Sequence, residues 1–121
     1  MIGETGANVN KIIVLGDKDF VNDIGDELFN KLDVRTTKVN MDNPIDPHLL
    51  LRHIKKCEIV IVSLDRFTSA SIASAGMARA LDKVVVGVGM PDLDPEGKLL
   101  TYLCDFGCAH EDVVSEVNKY L

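Results

Sequence analysis

Residues 58–88 decide the fold and read EIVIVSLDRFTSASIASAGMARALDKVVVGV. The two ends of this stretch, Glu58–Ser63 and Lys83–Val88, are rich in Ile and Val, which is typical of strands covered on both faces of a sheet. Between them, residues 69–81 carry small and apolar side chains after a run of hydroxyl residues, and this pattern predicts a helix. The stretch therefore predicts a strand, a helix and a second strand, which is the βαβ unit of a parallel sheet.

The same alternation holds upstream of this unit. Lys11–Gly16 is a continuous apolar run that predicts the first strand. Apolar residues then recur every three or four positions over residues 20–32, which predicts a helix with Asp17 or Asp19 as its N-cap. Residues 34–39 alternate polar and apolar side chains, so we expect a more exposed strand at the edge of the sheet.

Two Asp-Pro pairs predict further helix starts. Asp46-Pro47 begins a helix that ends in basic residues, and Asp94-Pro95 begins one that ends near Cys104. The reason is that Asp accepts a hydrogen bond from a free helix N–H, while Pro has no N–H to leave unpaired at the first helical position. A fifth strand near residues 106–109 and an amphipathic helix over residues 113–121 complete the chain.

Four strands, with the fifth near residues 106–109, thus alternate with five helices over residues 11–121. Residues 1–10 are predicted to form a flexible leader. We predict a doubly wound, three-layer α/β/α domain of the flavodoxin-like or Rossmann-like type, with strand order 2-1-3-4-5, because crossovers between parallel strands are right-handed. Ligands of such sheets bind beyond the carboxyl ends of strands 1 and 3, where the winding reverses.

Composition excludes several classes of partner. The 121 residues include 13 basic and 19 acidic side chains, a net charge of −6 at pH 7. This balance, without a Lys/Arg stripe or an aromatic platform, argues against nucleic acid, and the longest apolar run, Val84 to Met90, is too short to cross a membrane. Three cysteines fit reduced thiols, and the first residues lack a signal-peptide pattern, so we expect a cytoplasmic protein.

The loops after strands 1, 3 and 4 are the candidate ligand site. Hydroxyls and free N–H groups at a helix N-terminus, with an arginine beside them, suit a phosphate or carboxylate, although the same residues also serve as ordinary helix caps. Carboxylates after strand 1 suit a sugar hydroxyl or a base edge. The predicted ligand-binding residues are Gly16, Asp17, Asp19, Phe20, Arg66, Thr68, Ser69, Ser71, Ser74 and Met90.

Common cofactor motifs are missing or incomplete. Strand 1 is followed by Gly16-Asp17-Lys18-Asp19 where a dinucleotide-binding domain has G-x-G-x-x-G, and the chain contains no P-loop. Cys104, Cys108 and His110 have a C-x3-C-x-H spacing, but no fourth zinc ligand is evident nearby. We therefore expect neither a metal nor an organic cofactor.

Several segments together carry a family resemblance. They are the helix end Ile54–Cys57, the strand and turn Glu58–Asp65, the helix segment Ala75–Lys83 and the strand Val84–Val88, with Lys11–Gly16 as the matching first strand. These segments resemble the nucleoside 2-deoxyribosyltransferase family and its nucleotide N-glycosidase relatives. The resemblance implies a small-molecule nucleoside or nucleotide ligand at the carboxyl ends of strands 1, 3 and 4.

The sequence departs from that family at the catalytic position. The family's nucleophilic glutamate lies two residues before the helix glycine, and here Gly76 places Ser74 at that position, while the family's Gly-Thr pair maps to Ala70-Ser71. A serine hydroxyl without a partner base does not replace a carboxylate nucleophile. We therefore predict nucleoside or nucleotide binding with catalysis lost or altered. If glycosyl transfer survives, Asp65 at the strand end is the best remaining catalytic carboxylate.

Two other classes of protein fit parts of the pattern. Asp17, Asp19 and Asp65 suit a receiver-like signalling domain, in which acids hold magnesium and accept a phosphoryl group. Lys11–Phe20 resembles the start of the small F subunit of rotary ATPases, a non-catalytic subunit of a larger complex. The small-residue helix Ser69–Leu81 leaves a homodimer or other homo-oligomer open, alongside close packing of this helix on its own sheet.

Overall fold

The computed structural model describes residues 11–43, 45–91 and 93–121. Within these residues the five strands, in chain order, are β1 Ile12–Gly16, β2 Thr36–Asn40, β3 Ile59–Ser63, β4 Val84–Val88 and β5 Phe106–Cys108. The helices are α1 Lys18–Leu32, α2 Pro47–Lys56, α3 Ser69–Ala80, α4 Pro95–Leu103 and α5 Val113–Asn118, with a 3-10 turn at His110–Asp112. Strands and helices therefore alternate along the chain.

The strands lie in the order β2-β1-β3-β4-β5, and every neighbouring pair is parallel. This confirms the predicted doubly wound, flavodoxin-like α/β fold and its fifth strand. Ile12 pairs with Ile59, and Ile59 pairs with Val84, so β1, β3 and β4 run in register and their carboxyl ends meet at one edge of the sheet. The loops that follow these strands are thereby brought together.

The central strands are apolar throughout because alternate side chains enter two separate cores. In β1, Ile13 and Leu15 pack on the side of α2, α3 and α4. Ile12 and Val14 pack on the opposite side, with α1 and α5. Each such side chain, fully removed from water, contributes roughly 1.5 to 3 kcal/mol, so covering both faces is the main driving force for the three-layer arrangement.

The helix starts follow the predicted capping chemistry. The carboxylates of Asp17, Asp46 and Asp94 each accept a hydrogen bond, at 2.8, 2.9 and 2.8 Å, from a backbone N–H two or three residues further on. Asp17, rather than Asp19, is the cap of α1, and Asp19 is exposed in its first turn. None of the helices in the described residues has the length and apolar character that crossing a bilayer needs.

Some predicted boundaries were wrong by a few residues. The edge strand begins at Thr36, and Val34 before it packs against the core beneath α1. The last helix ends at Asn118, so Leu121 is exposed outside it. Only Val113 and Val117 of this helix are fully buried, and a short helix persists only where tertiary packing supports it. The leader predicted for residues 1–10 lies outside the described residues.

Small residues lie on both the buried and the exposed face of helix α3. Ala75 and Ala78 are buried against the sheet, which accounts for the close packing predicted for this helix. Ala73 and Ala80 point outward and are exposed. A Cβ added at Gly76 would meet no atom within 4 Å. Of these five small residues, packing on the sheet therefore explains only Ala75 and Ala78.

Gly87→Ala is expected to destabilise the fold. The new Cβ would lie 2.8 Å from three side-chain carbons of Leu64, which is 2% exposed, so Leu64 must move, at a cost of roughly 1 to 3 kcal/mol. Gly76→Ala is the matched control, because its Cβ has open space and alanine favours a helix by roughly 0.5 to 1 kcal/mol. Urea unfolding of both variants checks this, and equal midpoints would contradict it.

Candidate functional site

A pocket of about 530 Å³ opens at the carboxyl edge of the sheet, beyond β3, β4 and β5. Its size falls within the range of roughly 300 to 1,000 Å³ that small-molecule sites occupy. The lining residues are Leu64, Asp65, Gly89, Met90, Pro91, Gly107, Cys108, Ala109, His110 and Glu111. They come from the loops after three neighbouring strands, which is where sheets of this type bind ligands.

Asp65 stands at the rim of this pocket with an exposed side chain. Its Oδ1 accepts a hydrogen bond from the Ser63 hydroxyl at 2.8 Å. The Ser63 oxygen, in a residue that is 1% exposed, in turn accepts one from the backbone N–H of Arg66 at 3.2 Å. The buried serine thus fixes both the turn after β3 and the direction of the carboxylate.

Gly89, the residue directly after β4, leaves the space that the Asp65 carboxylate occupies. A Cβ at this position would lie 2.9 Å from Asp65 Oδ2. The φ angle of Gly89 is +108°, a conformation that side chains with a Cβ rarely adopt. Both the backbone angle and the close approach therefore require glycine here, and together they hold the carboxylate over the end of the neighbouring strand.

Arg66 and Asp17, two of the predicted ligand-binding residues, form an ion pair with each other. Arg66 Nε lies 3.1 Å from Asp17 Oδ2, and the Asp17 side chain is only 18% exposed. The other carboxylate oxygen of Asp17 accepts the Phe20 N–H in the cap of α1. The ion pair joins the loop after β1 to the loop after β3. Arg66 therefore forms an ion pair within this chain, at the crevice where the winding of the sheet reverses.

The hydroxyl residues at the start of α3 bond mainly to the helix itself. Thr68 Oγ1 accepts the Ser71 N–H at 3.4 Å, and Ser71 Oγ accepts the Thr68 N–H at 3.2 Å, which is a capping box. Ser74 Oγ donates to the Ala70 carbonyl at 2.6 Å and is fully buried. Ser69 is the exposed hydroxyl of the group.

The remaining predicted site residues divide between core and pocket. Gly16 is buried at the end of β1, and Phe20 is 2% exposed, with its ring edge-on to His110 at 5.7 Å between centroids. Met90 is 78% exposed and lines the pocket. Of the residues predicted from sequence, the structure places Asp65 and Met90 in the pocket wall, while Gly16 and Phe20 lie in the core behind it.

Two pocket residues were missed by the sequence prediction. His110 and Glu111 lie in the 3-10 turn that follows β5, and both line the pocket. His110 was considered only as one of three zinc ligands, and Glu111 was not considered. The sequence contained the information needed to find them, because the rule that places ligands at the carboxyl ends of strands also applies to the predicted fifth strand.

No metal centre is formed within the part of the chain that the structure describes. No group of three or more His, Cys, Asp or Glu side chains is placed there to hold a metal ion. This finding covers both the Cys104, Cys108 and His110 pattern and the acids, such as Asp17, that a receiver-like domain would use for magnesium.

Cys108 lines the pocket but is a poor nucleophile. Burial, with a smaller contribution from the nearby carboxylates of Glu116 and Asp112, raises the pKa of its thiol to about 11. The thiolate is the reactive form of cysteine, and this environment keeps the thiol protonated at neutral pH. We therefore expect the Cys108 side chain to contribute to the apolar wall of the pocket as a protonated thiol.

Known structures share the fold. A pilus assembly-related protein from Burkholderia pseudomallei K96243 is similar with a TM-score of 0.59 at 10% identity, over 93% of this chain and 89% of that chain. A 3-dehydroquinate dehydratase-like protein from Bifidobacterium longum has a TM-score of 0.53 at 10% identity, over 92% of this chain and 94% of that chain. No protein-family model and no curated protein matches the sequence.

At this low identity, such similarities establish the α/β fold alone. What the two proteins do is therefore no guide to this pocket. The resemblance to the nucleoside 2-deoxyribosyltransferase family stays a prediction from sequence.

Alkylation measures the state of the Cys108 thiol. In the folded protein we expect slow labelling by iodoacetamide at neutral pH, with a rate that rises about tenfold per pH unit until the pH approaches the thiol pKa. That pKa is about 11 in the fold against 9.0 for an unperturbed thiol, so the urea-unfolded protein is the control and should label faster. Mass spectrometry locates the label. Fast labelling of Cys108 at neutral pH in the folded protein would show a reactive thiolate.

Proposed function

We propose that the protein binds a nucleoside or nucleotide at the carboxyl edge of the sheet, with the sugar beside Asp65 and with catalysis lost or altered relative to deoxyribosyltransferases. The observation that carries the proposal is the position of the Asp65 carboxylate. It is exposed at the pocket rim, oriented by Ser63 at 2.8 Å and accommodated by Gly89. A preoriented carboxylate is suited to accept hydrogen bonds from sugar hydroxyls.

The walls of the pocket suit the base of such a ligand. Leu64, Met90, Pro91 and Ala109 give it an apolar surface beside the polar rim. Ligand sites typically combine such apolar walls with a few oriented polar groups. Met90 is exposed and unbranched, and a flexible thioether adapts readily to a planar ring.

The segments Glu58–Asp65 and Val84–Val88, which lead to this pocket, carry part of the resemblance to the deoxyribosyltransferase family, which supports the ligand class. The family's nucleophile is the feature that is missing. Ser74 stands at its position, is fully buried and donates its hydroxyl proton to the Ala70 carbonyl. Its oxygen is therefore turned into the helix and away from solvent, and attack on a sugar carbon by Ser74 is excluded by both chemistry and burial.

Asp65 is the carboxylate left for glycosyl transfer, if that chemistry is retained. The protein can be incubated with deoxynucleosides and deoxynucleotide monophosphates while release or exchange of the base is followed by chromatography. Any base release by the natural protein is expected to disappear in Asp65→Ala. Robust release that survives this substitution would place the chemistry on another residue.

Binding is measured by thermal shift, because a ligand that binds only the native state raises the melting temperature. We expect a shift with at least one common ribo- or deoxyribonucleoside at millimolar concentration. Asp65→Asn should weaken binding roughly tenfold or more, since a hydrogen bond to a charged group contributes roughly 1.5 to 3 kcal/mol. Gly89→Ala should also weaken it, because its Cβ would press on Asp65.

The matched control is Asp23→Asn, which makes the same change at an exposed position of α1. It should leave the shift unchanged. The absence of any shift with the whole nucleoside and nucleotide panel would overturn the proposed ligand class. A shift that Asp65→Asn leaves intact would move the site away from this pocket.

A further inference from the structure

We propose that a groove between α1 and the edge strand β2 binds a phosphate group through Arg35, Thr36 and Lys38. The groove has a volume of about 360 Å³. Its lining residues are Gly25, Asp26, Phe29, Arg35, Thr36 and Lys38. None of these described residues also lines the pocket at the carboxyl edge. The inference is therefore independent of the proposed nucleoside site.

The Thr36 hydroxyl is the main observation, because it is buried without a hydrogen bond. Its Oγ1 is removed from solvent and has no partner within the described residues, and no other buried side-chain nitrogen or oxygen there lacks one. An unpaired buried polar group costs free energy, so the great majority of such groups in folded proteins have a partner. A hydroxyl without one in its own chain is suited to donate to a bound ligand.

Gly25 allows this hydroxyl to lie close to the backbone of α1. A Cβ at position 25 would lie 2.9 Å from Thr36 Oγ1, and it would lie closer still to Lys38 Cε. The hydroxyl and the aliphatic stem of Lys38 thus share the space beside this glycine. A rotation of the stem away from Gly25 opens the hydroxyl to the groove.

Two cations flank this hydroxyl in the chain. Arg35 is exposed and forms no ion pair with any described residue. Lys38 Nζ lies 2.9 Å from Asp26 Oδ1 and 3.4 Å from Asn22 Oδ1, but the Asp26 side chain is 68% exposed. An exposed ion pair of this kind contributes little to stability, so the ammonium is able to turn toward a ligand.

This set of donors suits phosphate better than a carboxylate. A guanidinium, an ammonium and a hydroxyl supply donors from three separate side chains, and phosphate has more acceptor oxygens than a carboxylate has. The planar guanidinium of Arg35 also matches two phosphate oxygens at once. With two cations and the Asp26 carboxylate, the groove has a net charge of only +1, so we expect dissociation constants in the millimolar range.

The test titrates inorganic phosphate into the isotope-labelled full chain and follows the backbone amide signals by NMR. Sodium chloride at the same ionic strength shows the effect of salt alone, and acetate represents a carboxylate. We expect saturable shifts with millimolar phosphate that are centred on Gly25 and residues 35–38. Acetate should bind there more weakly than phosphate.

Variants then locate the donors. Thr36→Val removes the hydroxyl and keeps the shape of the side chain, so it should weaken phosphate binding roughly tenfold through loss of a hydrogen bond to a charged group. Arg35→Ala should weaken it by a similar factor. The matched controls are Thr37→Val, whose side chain points to the other face of β2, and Lys31→Ala, which removes an exposed cation from the last turn of α1. Both should leave phosphate binding unchanged.

The melting temperature tests the unpaired hydroxyl separately. Because Thr36→Val removes a buried group that has no partner, it should keep or raise the melting temperature in the absence of phosphate. Phosphate should raise the melting temperature of the natural protein more than that of this variant, since it binds the native state. The same measurements show that each variant is folded.

Four results would overturn the inference. A lower melting temperature of Thr36→Val without phosphate would show that the hydroxyl is bonded within the fold. Phosphate shifts equal to those with sodium chloride would show that phosphate does not bind. Phosphate binding that Thr36→Val and Arg35→Ala leave intact would place it elsewhere on the protein. Acetate binding as tight as phosphate binding would contradict the ligand class.

Discussion

The turn after β3 depends on the absence of side chains at two positions of the neighbouring chain segment, Gly87 in β4 and Gly89 directly after it. Leu64 packs over Gly87 so closely that a Cβ there would come within 2.8 Å of it, and a Cβ at Gly107 would meet it at 3.6 Å. One residue later, Asp65 occupies the space left by Gly89. Gly87 in β4 and Gly89 in the loop after it therefore let the turn pack closely over the edge of the sheet. The pocket and its carboxylate owe their position to this approach.

The same turn divides the carboxyl edge into two unequal halves. On the side of β1, Arg66 reaches Asp17, and this ion pair joins the loops across the crevice where ligands of such folds ordinarily bind. On the side of β4 and β5, a pocket of about 530 Å³ remains open. The open pocket is thereby displaced from the crevice between β1 and β3, which is the place that topology alone suggests for a ligand. The β1 side of this edge thus carries an ion pair without net charge, whereas the β4 and β5 side carries the carboxylates of Asp65 and Glu111.

Much of the fold could be predicted because its elements have strong local signals. β1 and β3 are continuous apolar runs, and the Asp-Pro pairs mark the starts of α2 and α4 through chemistry that operates within three residues. The first residue of β2 and the last residue of α5 were less predictable. Val34 and Leu121 are apolar, but whether they continue an element depends on the packing of distant residues around them. Local pattern carries no information on that packing.

The candidate site was predictable only in part, for a related reason. Asp65 and Met90 were identified because they directly follow predicted strands. Ser71 and Ser74 have the residue type of an anion site, yet their hydroxyls bond to α3 itself. The sequence associated His110 with nearby cysteines, whereas the fold places it in the wall of the same pocket as Asp65. The type of a residue limits the hydrogen bonds and ion pairs that its side chain is able to form. Its neighbours in the fold determine which of these it forms.

The sequence by itself determined the class of fold, the strand order and the helix caps, and it predicted a ligand at the loops after strands 1, 3 and 4. Periodicity, capping and the handedness of crossovers are local or general properties, so one chain is enough to show them. Only the tertiary structure decided that Arg66 pairs with Asp17, that Gly89 makes room for Asp65, and that the pocket extends to β5. These contacts join residues far apart in the chain, and close packing fixes them only when the whole sheet is assembled.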